Sequence, residues 1–248
     1  MRRRDAFVIG GAIAVAVAIP PILRRLPTEF DFEPLPDFPG FRRLSGGEVS
    51  GALDPFIGLS EGPQDRPPLD DGPIADPCRA LFGPGGWRTD SVPVAIFTDI
   101  NCPYCKVLER DLMAVRDQEG SIELNWHEMP LLGPSSLRAA RAILAARFLD
   151  AEDEARAFLA NVPFPPGPAG LRRLSEALDL SPDVFAREEQ SARVSQALED
   201  SLTLGTRLGI PGTPGTVIGR TLVIGAISKA DLRRLIALEA ETPQTVCV

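Results

Sequence analysis

The chain has 248 residues, of which 24% are charged and 44% hydrophobic, and its net charge at pH 7 is -8. This length allows one large or two small domains with a proper core. The acidic balance argues against nucleic acid or an anionic membrane surface as a partner, and four cysteines are too few for a disulfide scaffold.

Residues 1–25 are predicted to be an export signal or a membrane anchor. Three arginines precede an uncharged apolar run over residues 6–23, the pattern of such segments. Ala16 and Ala18 could form a cleavage site, whereas the run of about 18 residues is also near the lower limit for a membrane span. Either outcome places the rest of the chain outside the reducing cytosol.

Residues 26–76 form a linker or an extended wrapping arm. Proline and glycine recur throughout, and neither a helical nor a strand period is present. We expect part of this arm to lie along the folded domain or a partner, because it is too apolar for a fully solvated tether. The apolar residues concerned are Phe30, Phe32, Phe38, Phe41, Phe56 and Ile57.

A globular domain is predicted over residues 77–248. It begins with a buried strand from Val92 to Thr98, an amphipathic helix from Pro103 to about Gln118 and a second strand from Ile122 to Trp126. The order strand, helix, strand implies parallel pairing through a right-handed crossover.

A helical block at about residues 134–208 interrupts the alternation of strands and helices. No strand pattern separates its members, so it is predicted to be an insertion into an otherwise alternating chain. The predicted helices are one capped by Ser135 or Ser136, then Glu152 to Ala160, Gly170 to Leu178, and a long helix from Pro182, capped by Ser181, to about Leu208.

The chain closes with a hairpin and a helix. Two short strands, Thr216 to Ile218 and Thr221 to Ile224, flank the turn Gly219-Arg220. Ser228 to Asp231 resembles a capping box that opens the last helix. The predicted fold is therefore α/β, with a mixed central sheet that is parallel early and antiparallel late.

Two cysteines two residues apart stand where the first strand passes into the first helix. Pro103 follows Cys102 at the first helical position, where a missing N–H costs nothing. The Cys102 sulfur would therefore lie at the positive end of the helix dipole, which stabilises a thiolate. We expect Cys102 to be the nucleophile and Cys105, one turn further in, to attack the mixed disulfide and release the substrate.

Metal binding and a purely structural bridge are the alternatives for this pair. A zinc site needs a second close pair of ligands, but Cys78 and Cys247 stand alone and His127 is the only histidine. A bridge across so short a loop would constrain little of the unfolded chain. We therefore expect no metal, and no cofactor other than the redox-active disulfide itself.

The chain resembles the DsbA family of thioredoxin-fold oxidoreductases over roughly residues 85 to 240. The joint occurrence of three local matches in this order is far more specific than any one of them. The matches are Phe97 to Cys105 for the active-site strand and loop, Met129 to Ser136 for the segment leading into the insertion, and Gly212-Thr213-Pro214 for the cis-proline loop.

The resemblance implies that the Thr213–Pro214 bond is cis and faces the Cys102 sulfur. Such a turn would present the Thr213 backbone to an extended peptide, which can pair with it as an added strand. The dipeptide Pro103-Tyr104, which we expect to tune the redox pair, is less informative because glutaredoxins share it.

Four further residues, Asp99, His127, Cys78 and Cys247, have more than one possible role. Asp99 could accept a proton from Cys105 or be a solvated carboxylate at the strand end. His127 is expected to have a structural or surface role. Cys78 and Cys247 would form a bridge in an oxidising compartment, or else remain free thiols.

These features predict an exported thiol:disulfide oxidoreductase that exchanges its disulfide with client proteins carrying free thiols or disulfides and acts as an oxidant. It would be periplasmic or otherwise extracytoplasmic, secreted or anchored in the inner membrane, with a membrane or periplasmic electron partner. The alternatives are a reductase or isomerase, a glutaredoxin, and a non-catalytic tethered chaperone or metal-handling module.

Overall fold

A computed structural model describes residues 29–45, 49–50, 74, 76–84, 86–87, 90–162, 167–241 and 247. The apolar run at 6–23 and the whole of the predicted segment 1–25 lie outside the described residues, as does much of the arm. Within the described part of the chain, no helix combines the length and the apolar character needed to cross a membrane. The described residues from Phe32 onward belong to one compact unit.

Strands and helices alternate at both ends of this unit and helices alone fill its middle. The strands are β1 (Phe32–Pro34), β2 (Arg42–Ser45), β3 (Val92–Thr98), β4 (Ile122–Glu128), β5 (Gly215–Ile218) and β6 (Thr221–Ile224). The helices are α1 (Pro77–Phe82), α2 (Pro103–Glu119), α3 (Pro134–Arg147), α4 (Glu152–Asn161), α5 (Pro168–Ala177), α6 (Pro182–Glu189), α7 (Ala192–Arg207) and α8 (Lys229–Ala240).

The strands form one mixed sheet in the order β1-β2-β6-β5-β3-β4. β3 pairs in parallel with β4 on one side and antiparallel with β5 on the other. β5 and β6 form the antiparallel hairpin. The predicted fold class, a mixed sheet with flanking helices and a helical insertion, is confirmed.

Two strands of the sheet come from the arm and were not predicted. β2 pairs in parallel with β6, and β1 pairs antiparallel with β2. Arg42 holds β2 in place because its guanidinium donates to the Thr221 hydroxyl at 2.7 Å and forms an ion pair with buried Glu239 at 2.6 Å. The folded unit therefore begins well before the expected boundary at residue 77.

Part of the arm also contributes to the core, as its apolar composition suggested. Phe38 and Phe41 are buried, and their rings meet edge to face with centroids 6.2 Å apart. Both belong to the hydrophobic cluster that includes Phe97 of β3 and Leu222 of β6. Phe56 and Ile57 lie outside the described residues.

The helical block differs from the prediction in two places. The long helix expected from Pro182 to Leu208 is two helices, α6 and α7, because the Ser191 hydroxyl accepts the Val194 N–H and caps a new helix. The prediction that Ser135 or Ser136 caps the first helix of the block is also wrong. Gly133 occupies that position and Pro134 opens α3 without a side-chain cap.

The core has two hydrophobic clusters that meet at the end of β3. One lies among the inserted helices and includes Ile100, while the other lies on the sheet and includes Phe97. The segment that follows, Asn101 to Cys105, is thus anchored at the junction of the two clusters.

Candidate active site

Cys102 lies at the point where β3 ends and α2 begins. It is the N-cap of α2, Pro103 is the first residue of the helix, and the Cys102 sulfur accepts the backbone N–H of Cys105 at 3.3 Å. Leu108 and Leu112, which are buried, hold the helix against the rest of the unit. The sulfur is therefore fixed among the unpaired N–H groups of a helix N-terminus.

The loop before Cys102 is fixed by Asp99. The two carboxylate oxygens of Asp99 accept the backbone N–H groups of Asn101 at 2.9 Å and of Leu132 at 3.0 Å. Asp99 is buried, so the expectation of a solvated carboxylate is wrong. Its observed contacts are those of a residue that positions the active-site loop, and a role in proton transfer stays a prediction.

Thr213 and Pro214 lie opposite the sulfur. The Thr213–Pro214 peptide bond is cis, and the Cys102 sulfur is 3.4 Å from the Thr213 carbonyl oxygen. The pairing of β3 with β5, in which Phe97 lies opposite Gly215, brings these distant parts of the chain together.

The surroundings of Cys102 favour its thiolate. Hydrogen bonding from the Cys105 side chain, the largest influence, lowers the pKa of Cys102 to about 5, against the opposing effect of burial. The Ser50 hydroxyl and the Cys105 backbone N–H add to the same effect. At neutral pH the sulfur is therefore anionic, as a nucleophile or leaving group in disulfide exchange must be.

Cys105 has the opposite character. Burial is the largest influence and raises the pKa of this thiol above its ordinary value, and its hydrogen bond to Cys102 acts in the same direction. Both cysteines are free thiols in this structure, so it represents the reduced state. Cys105 keeps the proton and Cys102 carries the charge.

A segment of the arm lies beside the Cys102 sulfur. Cys102 itself has no exposed surface. Ser50 donates its backbone N–H to the Thr213 carbonyl at 2.7 Å and accepts the Thr213 N–H at 2.9 Å. One of the polar groups beside the sulfur therefore comes from outside the predicted domain.

Two polar residues behind Cys105 were also missed. The Thr98 hydroxyl hydrogen-bonds Cys105 and donates to the carboxylate of Glu109, whose pKa is raised by burial. Glu109 lies four residues after Cys105 on the buried face of α2. A charged residue at a core position of an amphipathic helix was the signal that could have found it.

A buried ion pair lies deeper behind the site. Arg156 of α4 donates to the carboxylate of Glu128 at the end of β4 and also contacts Glu152. The guanidinium lies over the ring of Trp126, 4.2 Å from its centroid. Glu128 and Arg156 are both almost fully buried, so each neutralises a charge that water cannot reach.

The remaining sites of the sequence analysis lie away from the redox pair. Cys78 and Cys247 are joined by a disulfide with a Cα separation of 5.5 Å. His127 bonds to the Leu81 carbonyl at 2.9 Å and stacks on Phe97. Burial lowers the pKa of His127 to about 4, so this residue is a neutral structural donor.

The model of the DSBA-like thioredoxin domain matches residues 93–237, which include both cysteines, the helical block and the Thr213–Pro214 loop. No curated protein gives a significant match to the chain.

Several solved structures have the same fold. The thiol-disulfide exchange protein alpha-DsbA2 from Wolbachia pipientis is 27% identical, covers 64% of this chain and 90% of its own, and superposes with a TM-score of 0.57. A thioredoxin-like oxidoreductase from Silicibacter pomeroyi is 25% identical, with coverages of 66% and 98% and a TM-score of 0.59. The catalytic domain of Proteus mirabilis ScsC, at 24% identity, coverages of 66% and 94% and a TM-score of 0.57, shares the fold.

Proposed function

The chain belongs to the DSBA-like thioredoxin-domain family of thiol-disulfide oxidoreductases, and on that premise we propose that it oxidises client proteins by passing them its Cys102–Cys105 disulfide. The observation that carries this proposal is the unequal acidity of the two cysteines. The pKa of Cys102 is lowered to about 5, whereas burial raises the pKa of Cys105.

The proposed reaction consists of two exchanges. A client thiolate attacks the Cys102 sulfur of the oxidised protein, the Cys102–Cys105 bond breaks, and Cys105 takes up a proton. A second client thiolate then attacks the client sulfur of this mixed disulfide, which forms the client disulfide and releases Cys102 as a thiolate. Two electrons pass from the client to the protein, and a separate electron acceptor must remove them to restore the disulfide.

The low pKa of Cys102 favours this direction of electron flow. A thiol of low pKa is a good leaving group, so the second exchange is fast. Stabilisation of the Cys102 thiolate also stabilises the reduced protein, and a protein stabilised in its reduced form is a stronger oxidant. A reductase or isomerase would use the same residues with a different partner.

The Thr213 backbone is the proposed docking site for the client. Its N–H and C=O point toward the side from which Ser50 pairs with them, and an extended client peptide can form the same two hydrogen bonds. This places the client cysteine next to the Cys102 sulfur, which lies 3.4 Å from the Thr213 carbonyl oxygen. Recognition through the backbone suits an enzyme with clients of different sequence.

We place this activity outside the cytosol. The support is the basic and apolar sequence at residues 1–25 together with the Cys78–Cys247 disulfide, since such bonds persist in oxidising compartments. The electron acceptor is then a membrane or periplasmic partner.

Trapping of mixed disulfides tests the proposal. In cells that express the Cys105→Ser variant, Cys102 exchanges with glutathione disulfide or with a client disulfide in place of its missing internal bond. The resulting client mixed disulfides should persist, because the Cys105 thiol that would break them is absent, and the clients are identified by mass spectrometry. The matched control carries Cys102→Ser in addition and should trap nothing. Equal recovery from both variants, or none from the first, would overturn the proposal.

A further inference from the structure

The peptide-docking edge at Thr213 is already occupied by the chain itself. Ser50 and Thr213 form an antiparallel bridge with two backbone hydrogen bonds, of 2.7 and 2.9 Å. These bonds use both the N–H and the C=O of Thr213. A client peptide that paired with Thr213 as an added strand would need the same two groups.

Ser50 also takes the place of the client at the sulfur. Its hydroxyl hydrogen-bonds the Cys102 sulfur, and Cys102 has no exposed surface with the segment in position. The Ser50 side chain thus occupies the position, relative to the backbone bridge, in which the reacting cysteine of a client would lie. Serine differs from cysteine only in carrying oxygen in place of sulfur, so it fits the site but cannot form a disulfide.

Ser50 can compete with clients for the Thr213 edge because it belongs to the same chain. β2, which ends at Ser45, is part of the sheet, so Ser50 is tethered only a few residues from a fixed point. A short tether gives an intramolecular ligand a high effective concentration, and it competes with free peptides even when its own contacts are few.

We propose that Val49–Ser50 is an internal pseudosubstrate that closes the reduced active site, and that clients react only after displacing it. This inference rests on the proposed function, because it takes the Thr213 edge as the client site. The measured client affinity is then the intrinsic affinity reduced by the fraction of molecules that are open. Clients whose backbone pairs well with Thr213 therefore react in preference to thiols that cannot form these hydrogen bonds.

A proline at position 50 tests the role of the backbone bridge. Ser50→Pro removes the N–H that donates to Thr213, whereas Ser50→Ala removes the hydroxyl and keeps the bridge. Two rates are measured on the reduced proteins at about pH 8, where a thiol with a pKa near 5 is fully ionised in either variant. One is alkylation of Cys102 by iodoacetamide, and the other is its reaction with a peptide whose single cysteine carries thionitrobenzoate.

We expect Ser50→Pro to raise both rates about five-fold, the effect of losing one net backbone hydrogen bond from the closed state. Ser50→Ala should change the rates less than Ser50→Pro. Equal rates for the proline variant and the unmodified protein would overturn the pseudosubstrate. If the proline variant is alkylated faster but no variant reacts with the peptide, the closure stands and the proposed client exchange fails.

A cross-link provides a second test that does not depend on the proline variant. Ser50→Cys in a Cys105→Ser background places a thiol beside the Cys102 sulfur, and glutathione disulfide is supplied as oxidant. The two sulfurs should join within one chain, at a rate independent of protein concentration. Val49→Cys in the same background is the control, because successive side chains of an extended segment point to opposite faces, and equal cross-linking at both positions would contradict specific docking.

Discussion

The backbone N–H of Cys105 donates to the sulfur of Cys102 across 3.3 Å. The Cys105 side-chain hydrogen bond is the largest influence that stabilises the Cys102 anion and this backbone contact adds to it, while Cys105 itself is buried and keeps its proton. A symmetric pair of thiols would not distinguish the attacking sulfur from the resolving one. The asymmetry arises from position, because Cys102 caps the helix and Cys105 lies within its first turn.

The first prediction concerns the titration of Cys102. In the reduced protein the ultraviolet absorbance of the thiolate should appear with a pKa of about 5. Cys105→Ala should raise this pKa toward the ordinary thiol range, because it removes the largest stabilising hydrogen bond, and the backbone N–H should keep it from returning fully. A Cys102→Ser protein is the control and should show no thiolate signal near neutral pH. An unchanged pKa in Cys105→Ala would contradict the assignment.

The second prediction concerns stability and pH. The folded pKa of Cys102 is about 5, below its unfolded value, so the stability it contributes is present above the unfolded pKa and is lost as pH falls through about 5. The reduced protein should therefore lose about 2 kcal/mol between pH 7 and pH 5 relative to the oxidised protein, which has no titrating thiol. Denaturant unfolding of both forms at each pH measures this difference. An equal change in the free energy of unfolding of the reduced and oxidised proteins between pH 7 and pH 5 would refute this prediction.

The third prediction concerns the buried ion pair. Arg156→Met should lower the free energy of unfolding by about 3 to 5 kcal/mol, because Glu128, whose pKa burial already raises to about 7, would be left buried without its ion pair. Adding Glu128→Gln should recover part of the loss. Arg233→Met is the matched control, since its pair with Glu119 is exposed and should contribute less than about 1 kcal/mol. Similar losses for Arg156 and Arg233 would show that burial does not matter here.

The fourth prediction concerns the Cys78–Cys247 disulfide. It joins residues 169 positions apart, so replacing both cysteines by serine should destabilise the protein by up to about 5 kcal/mol in the chain-entropy model. The disulfide lies away from the redox pair, so exchange with a peptide at a temperature where the variant is folded should be retained. Thermal unfolding and peptide oxidation are measured on the same sample, and loss of exchange in a folded variant would argue against a purely structural role.

Much of the fold was predictable from local patterns. The alternation of β3, α2 and β4 and the late hairpin follow from apolar periodicity and turn residues. The helix break at Ser191 was less visible, because Ser195 and its neighbours fit a helical period on either side and only the cap interaction separates two helices. Gly133 displaced the expected serine cap because Pro134 sets the first turn by itself.

The strands of the arm could not be predicted in the same way. β1 and β2 are three and four residues long and contain polar residues, so they have no period of their own. They exist because β6 offers an edge and because Thr221 and Glu239 bind the guanidinium of Arg42. Such partners are distant in sequence. Ser50 is likewise far from the active-site motif in the sequence, so the motif could not indicate that it lies beside Cys102. Cys102, Cys105 and Pro214 were visible because their motifs are local.

The most direct measurement of the central proposal is the reduction potential of the Cys102–Cys105 pair. The protein is equilibrated with defined ratios of reduced and oxidised glutathione, and the fraction of each form is read after acid quenching and alkylation. A client oxidant with a strongly stabilised Cys102 thiolate should have a potential less negative than about -180 mV. A reduction potential of about -270 mV, that of a thioredoxin, would contradict the proposed direction of electron flow.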